Sequence, residues 1–325
     1  LLERMRAASL IYQDNFGADG SRHDIESAIA DLGFLRHFCR LTPHVPAGVA
    51  PPFQGHLAEA SEDFAAMPPA TNPDAVVYIA FTSGSTGAPK GVMHSDNSLL
   101  VTARGISTDW HISRHSVVYS LSPFSHNLGI GALLTAIYSA AEFVIHDIAR
   151  GDSLVDRLIE TDTSYLVGVP THAIDLLAEI RERDLSAVGR LTGFRISGAA
   201  VPYHVIADLI PYGIIPQSGY GMTETNGHQY TLPDDDENLI MDSSGKACPG
   251  YEIRIFDEEN PEVKMPTGQV GLLAGRGASL MLGYFDDQMA TESCFNRDGW
   301  FMTGDLGWVD ENGYLRLIGR KKEII

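Results

Sequence analysis

"YIAFTSGSTGAPKGVMH", residues Tyr78 to His94, decides how the rest of the chain is read. A short run of β-branched and aromatic residues feeds a loop of small residues, and the loop closes on a lysine. Backbone N–H groups in such a loop can converge on an anion, and the hydroxyls of Thr82, Ser83, Ser85 and Thr86 add donors. Lys90 brings positive charge and Pro89 stiffens the exit, while Gly84, Gly87 and Gly91 are expected to allow backbone angles that a side chain would forbid. A Walker loop carries glycine directly before its lysine; Pro89 stands there instead, so this is a phosphate loop of another kind. The plainer alternative is a Ser/Gly surface loop.

Outward from the loop, residues from Asp74 onward alternate β-branched runs with amphipathic stretches. "AVVYIAF" predicts a buried strand, and "SVVYSLS", "AEFVIHD" and "SYLVGVP" predict three more. "LGIGALLTAIYSAA", "LVDRLIE" and "THAIDLLAEIRER" have helical spacing, and "GFRISG" and "GIIPQSGYG" complete the series. Strand, helix, strand, repeated, implies parallel strand pairs covered by helices. After about Gly245 the texture changes to "YEIRIFD", "GQVGLLAG" and "YLRLIGR" between Gly- and Asp-rich turns, which predicts a small antiparallel sheet or barrel. The fold class is therefore α/β: helix-covered mixed sheets followed by a small antiparallel β subdomain. Residues 1–75 read as the remainder of a lobe edge and a linker, with "DIESAIADLGFLRHFCRL" helix-like and the linker punctuated by proline. Residues 76–244 form the α/β core, residues 245–319 the β-rich part, and residues 320–325 a connecting stretch. The start, without Met or signal-peptide order, and the end inside the strand-like "GRKKEII" are expected to be internal to a longer chain.

At 325 residues the chain is long for one hydrophobic core, so two or more packed lobes are expected. An apolar content of 44% with 20% charged residues fits a soluble globular enzyme, and no apolar run is long enough for a membrane span. The formal charge of −19 argues against a nucleic-acid partner, since binding a polyanion needs a basic face. Any anionic ligand must be held by local donors. Cys39, Cys248 and Cys294 are odd in number and far apart, without CxxC spacing, which points to a reducing, cytoplasmic setting without disulfides or zinc.

Further motifs come after the loop in order. "FTSGSTGAPKGVMH" resembles the phosphate-loop signature of the adenylate-forming superfamily, which includes acyl- and aryl-CoA synthetases, peptide-synthetase adenylation domains and luciferases. "GYGMTET" (Gly219 to Thr225) is similar to that family's adenine and magnesium motif, "GWFMTGD" (Gly299 to Asp305) to its ribose motif, and "GRKKEI" (Gly319 to Ile324) to its hinge motif.

The resemblance implies the large N-terminal lobe of an ATP-dependent acid–thiol ligase, with residues 76–244 binding nucleotide and acyl group. Such an enzyme brings a carboxylate to the α-phosphorus of ATP and neutralises departing pyrophosphate. Carried over, residues Thr82 to Lys90 would hold the β- and γ-phosphates, Thr223 would contact the α-phosphate, and Glu224 would bind Mg2+ through a hard oxygen. Tyr220, with Gly221 beside it, would stack on adenine, Asp305 would accept from the ribose hydroxyls, and Arg320 would reach the ribose side. The alternatives are a core aromatic, a turn residue and a solvated charge. "SGAAVP" (Ser197 to Pro202) resembles the glycine-containing segment beside adenine and the acyl pocket, so Gly198 is assigned to both.

In "SPFSHNLGIGALL", His126 would meet the substrate carboxylate as a neutral donor, or else only cap a helix, and Asn127 after it resembles aryl-acid-activating members. With Gly129, Gly131 and Ala132 leaving space, a ring-containing or medium-sized carboxylic acid is expected. His94 is expected to cap the helix begun by "SDNSLL", and His172 to sit at a helix start. Lys322 matches the hinge, after which relatives carry a small mobile domain that completes adenylation; residues 1–325 alone would adenylate poorly. ATP, Mg2+ and CoA are the implied cofactors and partners, and a homodimer is allowed. Loading of a carrier-protein thiol, or adenylate binding without turnover, are the competing functions.

Overall fold

The computed structural model describes residues 1–13, 25–41, 71–82, 89–146, 151–199 and 202–322. They divide into two compact units, Leu1–Thr71 with Asp147–Asp152, and Asn72–His146 with Ser153–Ile325. In the first unit, α1 (Leu2–Met5) is followed by β1 (Ser9–Gln13), α2 (Ile25–Ile29) and β2 (His37–Leu41), with the two strands paired in parallel. The helix expected across "DIESAIADLGFLRHFCRL" is thus confined to one short segment, and "HFCRL" is a strand. Helical propensity is weak over so few residues, and pairing with β1 decides the matter.

The second unit opens on an antiparallel hairpin of β3 (Val76–Thr82) and β4 (Lys90–Ser95), in which Thr82 faces Lys90. The expectation that β3 is buried is corrected, since Val76 and Val77 are 47% and 51% exposed. The hairpin belongs to a separate three-stranded antiparallel sheet with β3 at its edge, outside the parallel array. Next comes α3 (Asp96–Asp109), started by a reciprocal capping box between Ser95 and Ser98.

The chain then alternates through β5 (Val117–Ser120), α4 (Asn127–Ser139), β6 (Glu142–Ile145), α5 (Leu154–Glu160), β7 (Tyr165–Gly168), α6 (Pro170–Glu182), β8 (Gly193–Ile196), α7 (Tyr203–Leu209) and β9 (Ile215–Met222). It returns as β10 (Asn226–Tyr230), followed by α8 (Glu237–Asp242) and β11 (Lys246–Ala247). These strands form one sheet in the order β11-β10-β9-β8-β7-β5-β6, parallel from β9 to β6 and antiparallel at β10 and β11. The side-chain period of two divides the strands between two cores. Tyr119, Leu166, Phe194 and Ile196 pack with residues of α5, α6 and α7, whereas Val118, Tyr165 and Val167 pack with residues of α3 and α4.

The remaining elements are β12 (Tyr251–Phe256), β13 (Gly271–Gly277), β14 (Gly283–Tyr284), α9 (Gln288–Glu292), β15 (Phe301–Val309) and β16 (Leu315–Arg320). β12, β13, β15 and β16 make the expected antiparallel sheet, while β14 pairs with β4. Among the described residues no helix is long and apolar enough to cross a membrane.

Candidate active site

A cavity of about 940 Å3 lies where β8 and β9 end, the usual ligand position in an α/β sheet. Thr82 and Lys90 line it from the hairpin, Ser197 and Gly198 from the turn after β8, and Gly221, Thr223 and Glu224 from the end of β9. His126 and Asn127 enter from the start of α4, Gly304 from β15, and Arg320 and Lys322 from the end of β16 and just beyond it.

One corner gathers charge. The Lys90 Nζ lies 4.7 Å from the centre of the Tyr284 ring, and the Tyr284 hydroxyl donates to Glu224 Oε1 at 2.8 Å. Burial first, then the neighbouring Glu224, push the Tyr284 phenol well above its ordinary range, so it stays a donor. Glu224 is 7% exposed, yet its Oε2 has no hydrogen-bond partner among the described residues. Of the loop itself, Ser83, Gly84, Ser85, Thr86 and Gly87 lie outside the described residues. Gly91 is described, and its expected role is corrected: its φ is not positive, and a Cβ would meet Ile79, Phe285 and Phe81 at 3.0–3.2 Å. Close packing, not backbone angle, requires glycine there.

A second cluster holds the turn that carries Thr223. The Thr223 carbonyl accepts from His94 Nε2 at 2.7 Å and Asn127 Nδ2 at 3.1 Å. Asn127 Oδ1 in turn accepts from the Tyr78 hydroxyl at 2.9 Å, so its amide ties hairpin, helix and turn together. Gly221 lies so close to the returning chain that a Cβ would sit 1.9 Å from the Asn226 carbonyl oxygen. His94 is fully buried; burial lowers its pKa and the bond to the Thr223 carbonyl partly offsets this. The cap of α3 is Ser95, so His94 is corrected from helix cap to buried brace for Thr223.

His126 is the N-cap of α4, with Nδ1 accepting from the Leu128 N–H at 3.1 Å, and its ring also lines the cavity. That bond leaves the proton of the neutral ring on Nε2. Packing around the ring lowers its pKa by desolvation even though the residue is largely exposed. His172 sits in the first turn of α6 and accepts from the Val169 N–H at 3.2 Å, as its position in the sequence predicts.

Tyr220, Asp305 and Arg320 form a chain: the Tyr220 hydroxyl donates to Asp305 Oδ2 at 2.5 Å, and Arg320 Nε lies 3.4 Å from Oδ1. Burial, then Asp305, raise the Tyr220 pKa well above its usual value. Tyr220 packs with Ile255, Leu273 and Leu315, and neither it nor Asp305 lines the cavity, whereas Arg320 does. Gly198 has φ +94°, a conformation that suits glycine whether or not a ring packs on it.

Sequence reading missed Arg195, Tyr284 and Lys321, all in the cavity wall. Arg195 left one signal, a cation inside the short strand segment "GFRISG".

Residues 25–285 match the family model described as AMP-binding enzyme. The chain is 31% identical over 256 residues to the medium-chain fatty-acid–CoA ligase of Escherichia coli, covering 78% of this chain and 45% of the relative. It is 32% identical over 273 residues to the indoleacetate–CoA ligase of Aromatoleum aromaticum, covering 83% and 52%. It thus spans about half the length of these curated relatives. Among solved structures, ATP-bound MatB from Rhodopseudomonas palustris superposes with a TM-score of 0.78 at 25% identity, covering all of this chain and 61% of that one.

Proposed function

Because the chain belongs to the AMP-binding enzyme family, we propose that it binds ATP and a carboxylic acid in one cavity, as part of an AMP-forming acid–CoA ligase. Convergence on that cavity of Lys90, Gly198, Thr223, Glu224, Arg320 and Lys322, from widely separated segments, carries this reading. A carboxylate oxygen attacks the α-phosphorus, the bond to the bridging oxygen breaks, and pyrophosphate leaves. CoA sulfur then attacks the acyl carbon and AMP departs.

The residues divide the work. Lys90, with donors of the loop it closes, offsets the charge of the phosphates. The Thr223 hydroxyl serves the α-phosphate, with its backbone fixed by His94 and Asn127. Asn127 acts on the acid side as wall and brace, its amide being engaged with Tyr78 and Thr223. Glu224 fits Mg2+: it lines the same cavity as Lys90, its Oε2 carries no hydrogen bond among the described residues, and magnesium commonly takes one or two protein carboxylates together with substrate phosphates. When bound, the ion neutralises charge developing on pyrophosphate. His126 presents Nε2–H to the substrate carboxylate, and Gly198 borders both subsites. Tyr220 acts on the nucleoside through Asp305, which it orients toward Arg320 for the ribose hydroxyls. Lys322 marks the pivot for acyl transfer. A cytoplasmic setting accords with the free thiols of Cys248 and Cys294.

The test is exchange of labelled pyrophosphate into ATP by the natural protein containing this chain. Exchange that requires an organic acid and Mg2+, with acyl-CoA formed once CoA is added, is expected. ATP binding without acid-dependent exchange for aromatic, alicyclic or aliphatic acids would overturn the proposal, and transfer only to a carrier-protein thiol would replace CoA as acceptor.

A further inference from the structure

Strand β8 places Phe194 and Ile196 in the core with α5 to α7, and the strand period turns Arg195 to the opposite face. Arg195 is 5% exposed and lines the cavity. Its Nη1 donates to Gln217 Oε1 at 3.0 Å and its Nη2 to the Gly227 carbonyl at 3.2 Å, and the Tyr230 ring centre lies 5.9 Å away. All three partners are neutral. Among the described residues Arg195 has no carboxylate partner, and Asp109 nearby is engaged by the Tyr230 hydroxyl at 2.8 Å. The site thus holds a buried cation with donors to spare.

The surroundings keep that cation in place. Gln217 Oε1 also accepts from the Tyr165 hydroxyl at 2.6 Å, which fixes the amide that Arg195 meets. A Cβ on Gly227 would lie 2.0 Å from Arg195 Nη2, so the chain leaves room for the guanidinium only because glycine stands there. The wall between α3 and α4 is otherwise mostly small or apolar, with Leu99, Ala103, Ile106, Gly131 and Ala132, and it carries two buried hydroxyls: Thr135 Oγ1 donates to the Gly131 carbonyl at 2.8 Å, whereas Thr102 Oγ1 has no hydrogen-bond partner among the described residues.

We infer that the acyl end of the cavity takes an acid bearing a second carboxylate, which Arg195 receives. This rests on the acid-activating function proposed above and names its substrate class. A tail ending in carboxylate supplies the missing anion as it displaces water, whereas a methyl-ended tail of equal length desolvates Arg195 and returns nothing.

Calorimetric titration of the chain with sulfamoyl-adenosine analogues tests this, using pairs matched in length: adipoyl against hexanoyl, and 4-carboxyphenylacetyl against 4-methylphenylacetyl. In at least one pair the carboxylate-ended analogue should bind about 10- to 100-fold more tightly, the span expected for a charged hydrogen-bonding contact. Arg195→Met should abolish that preference while leaving ATP affinity unchanged, and Arg195→Lys should retain part of it. If Arg195→Met does not fold, Gly227→Ala, which crowds the guanidinium, should weaken the same preference. Equal or tighter binding of the methyl-ended partner in both pairs, with ATP still bound, would overturn the inference and leave the nucleotide function standing. Failure to bind ATP, AMP or any analogue would overturn the function and this inference with it.

Discussion

Acid should weaken this fold through His228, and the effect can be isolated. The ring is buried on β10, stacked on Tyr251 with centres 4.0 Å apart and edge-on to Tyr220 at 5.6 Å. Among the described residues neither ring nitrogen has a hydrogen-bond partner. Burial lowers the pKa to about 3, the neighbouring Gln229 amide opposes the fall, and the charge of Arg195 adds to it. The unfolded chain takes up a proton near the ordinary histidine value, about 6.5. As pH falls below that value the unfolded state binds the proton first, so this contribution to stability is present above about 6.5 and is lost on the way down to about 3. Linkage makes the loss about 2.5 kcal/mol between pH 7 and pH 4.5. His228→Phe removes the titrating group and keeps an aromatic ring against Tyr251. Urea unfolding of both proteins at both pH values should show the variant gaining on the parent by that amount as pH falls, with other carboxylates and histidines cancelling in the comparison. A parallel pH dependence in the two proteins would refute the reasoning.

Glu224→Gln should cut adenylation at least about 100-fold while the melting temperature moves little, because Tyr284 can still donate to the amide oxygen; an unchanged rate would remove the magnesium assignment. His126→Asn keeps a good N-cap, so stability should stay within about 0.5 kcal/mol while KM for the acid rises; an unchanged KM would reduce His126 to a cap. Tyr220→Phe releases Asp305 Oδ2 and should raise KM for ATP by about tenfold without affecting the acid, as steady-state kinetics would show.

Periodicity made the parallel array legible, because β5, β7 and β8 are buried throughout and alternate with helices α4 to α6. It misled at β3, where a β-branched run looks the same whether it enters a parallel sheet or an exposed hairpin. It misled again at "HFCRL", whose strand state depends on pairing with β1. At the cavity, the composition of the loop pointed to Lys90 and the resemblance of "GYGMTET" to a family motif pointed to Thr223 and Glu224; all three line its wall. The braces did not show: His94 and Asn127 reach the Thr223 carbonyl only through tertiary folding, and Arg195 is notable because among the described residues no carboxylate is bonded to it. Tyr220 was expected to stack on adenine, but it does not line the cavity; its packing with Ile255 and Leu273 and its bond to Asp305 depend on the later sheet.

The claim that nucleotide and acid share one cavity is tested most directly by a crystal structure of the chain with Mg2+ and a bound acyl-sulfamoyl-adenosine. The sulfamate is expected at Thr223, the ribose beside Arg320 and Asp305, and the acyl group between α3 and α4 facing Arg195. An analogue bound outside this cavity, or an acyl group lying away from α3 and α4, would contradict it.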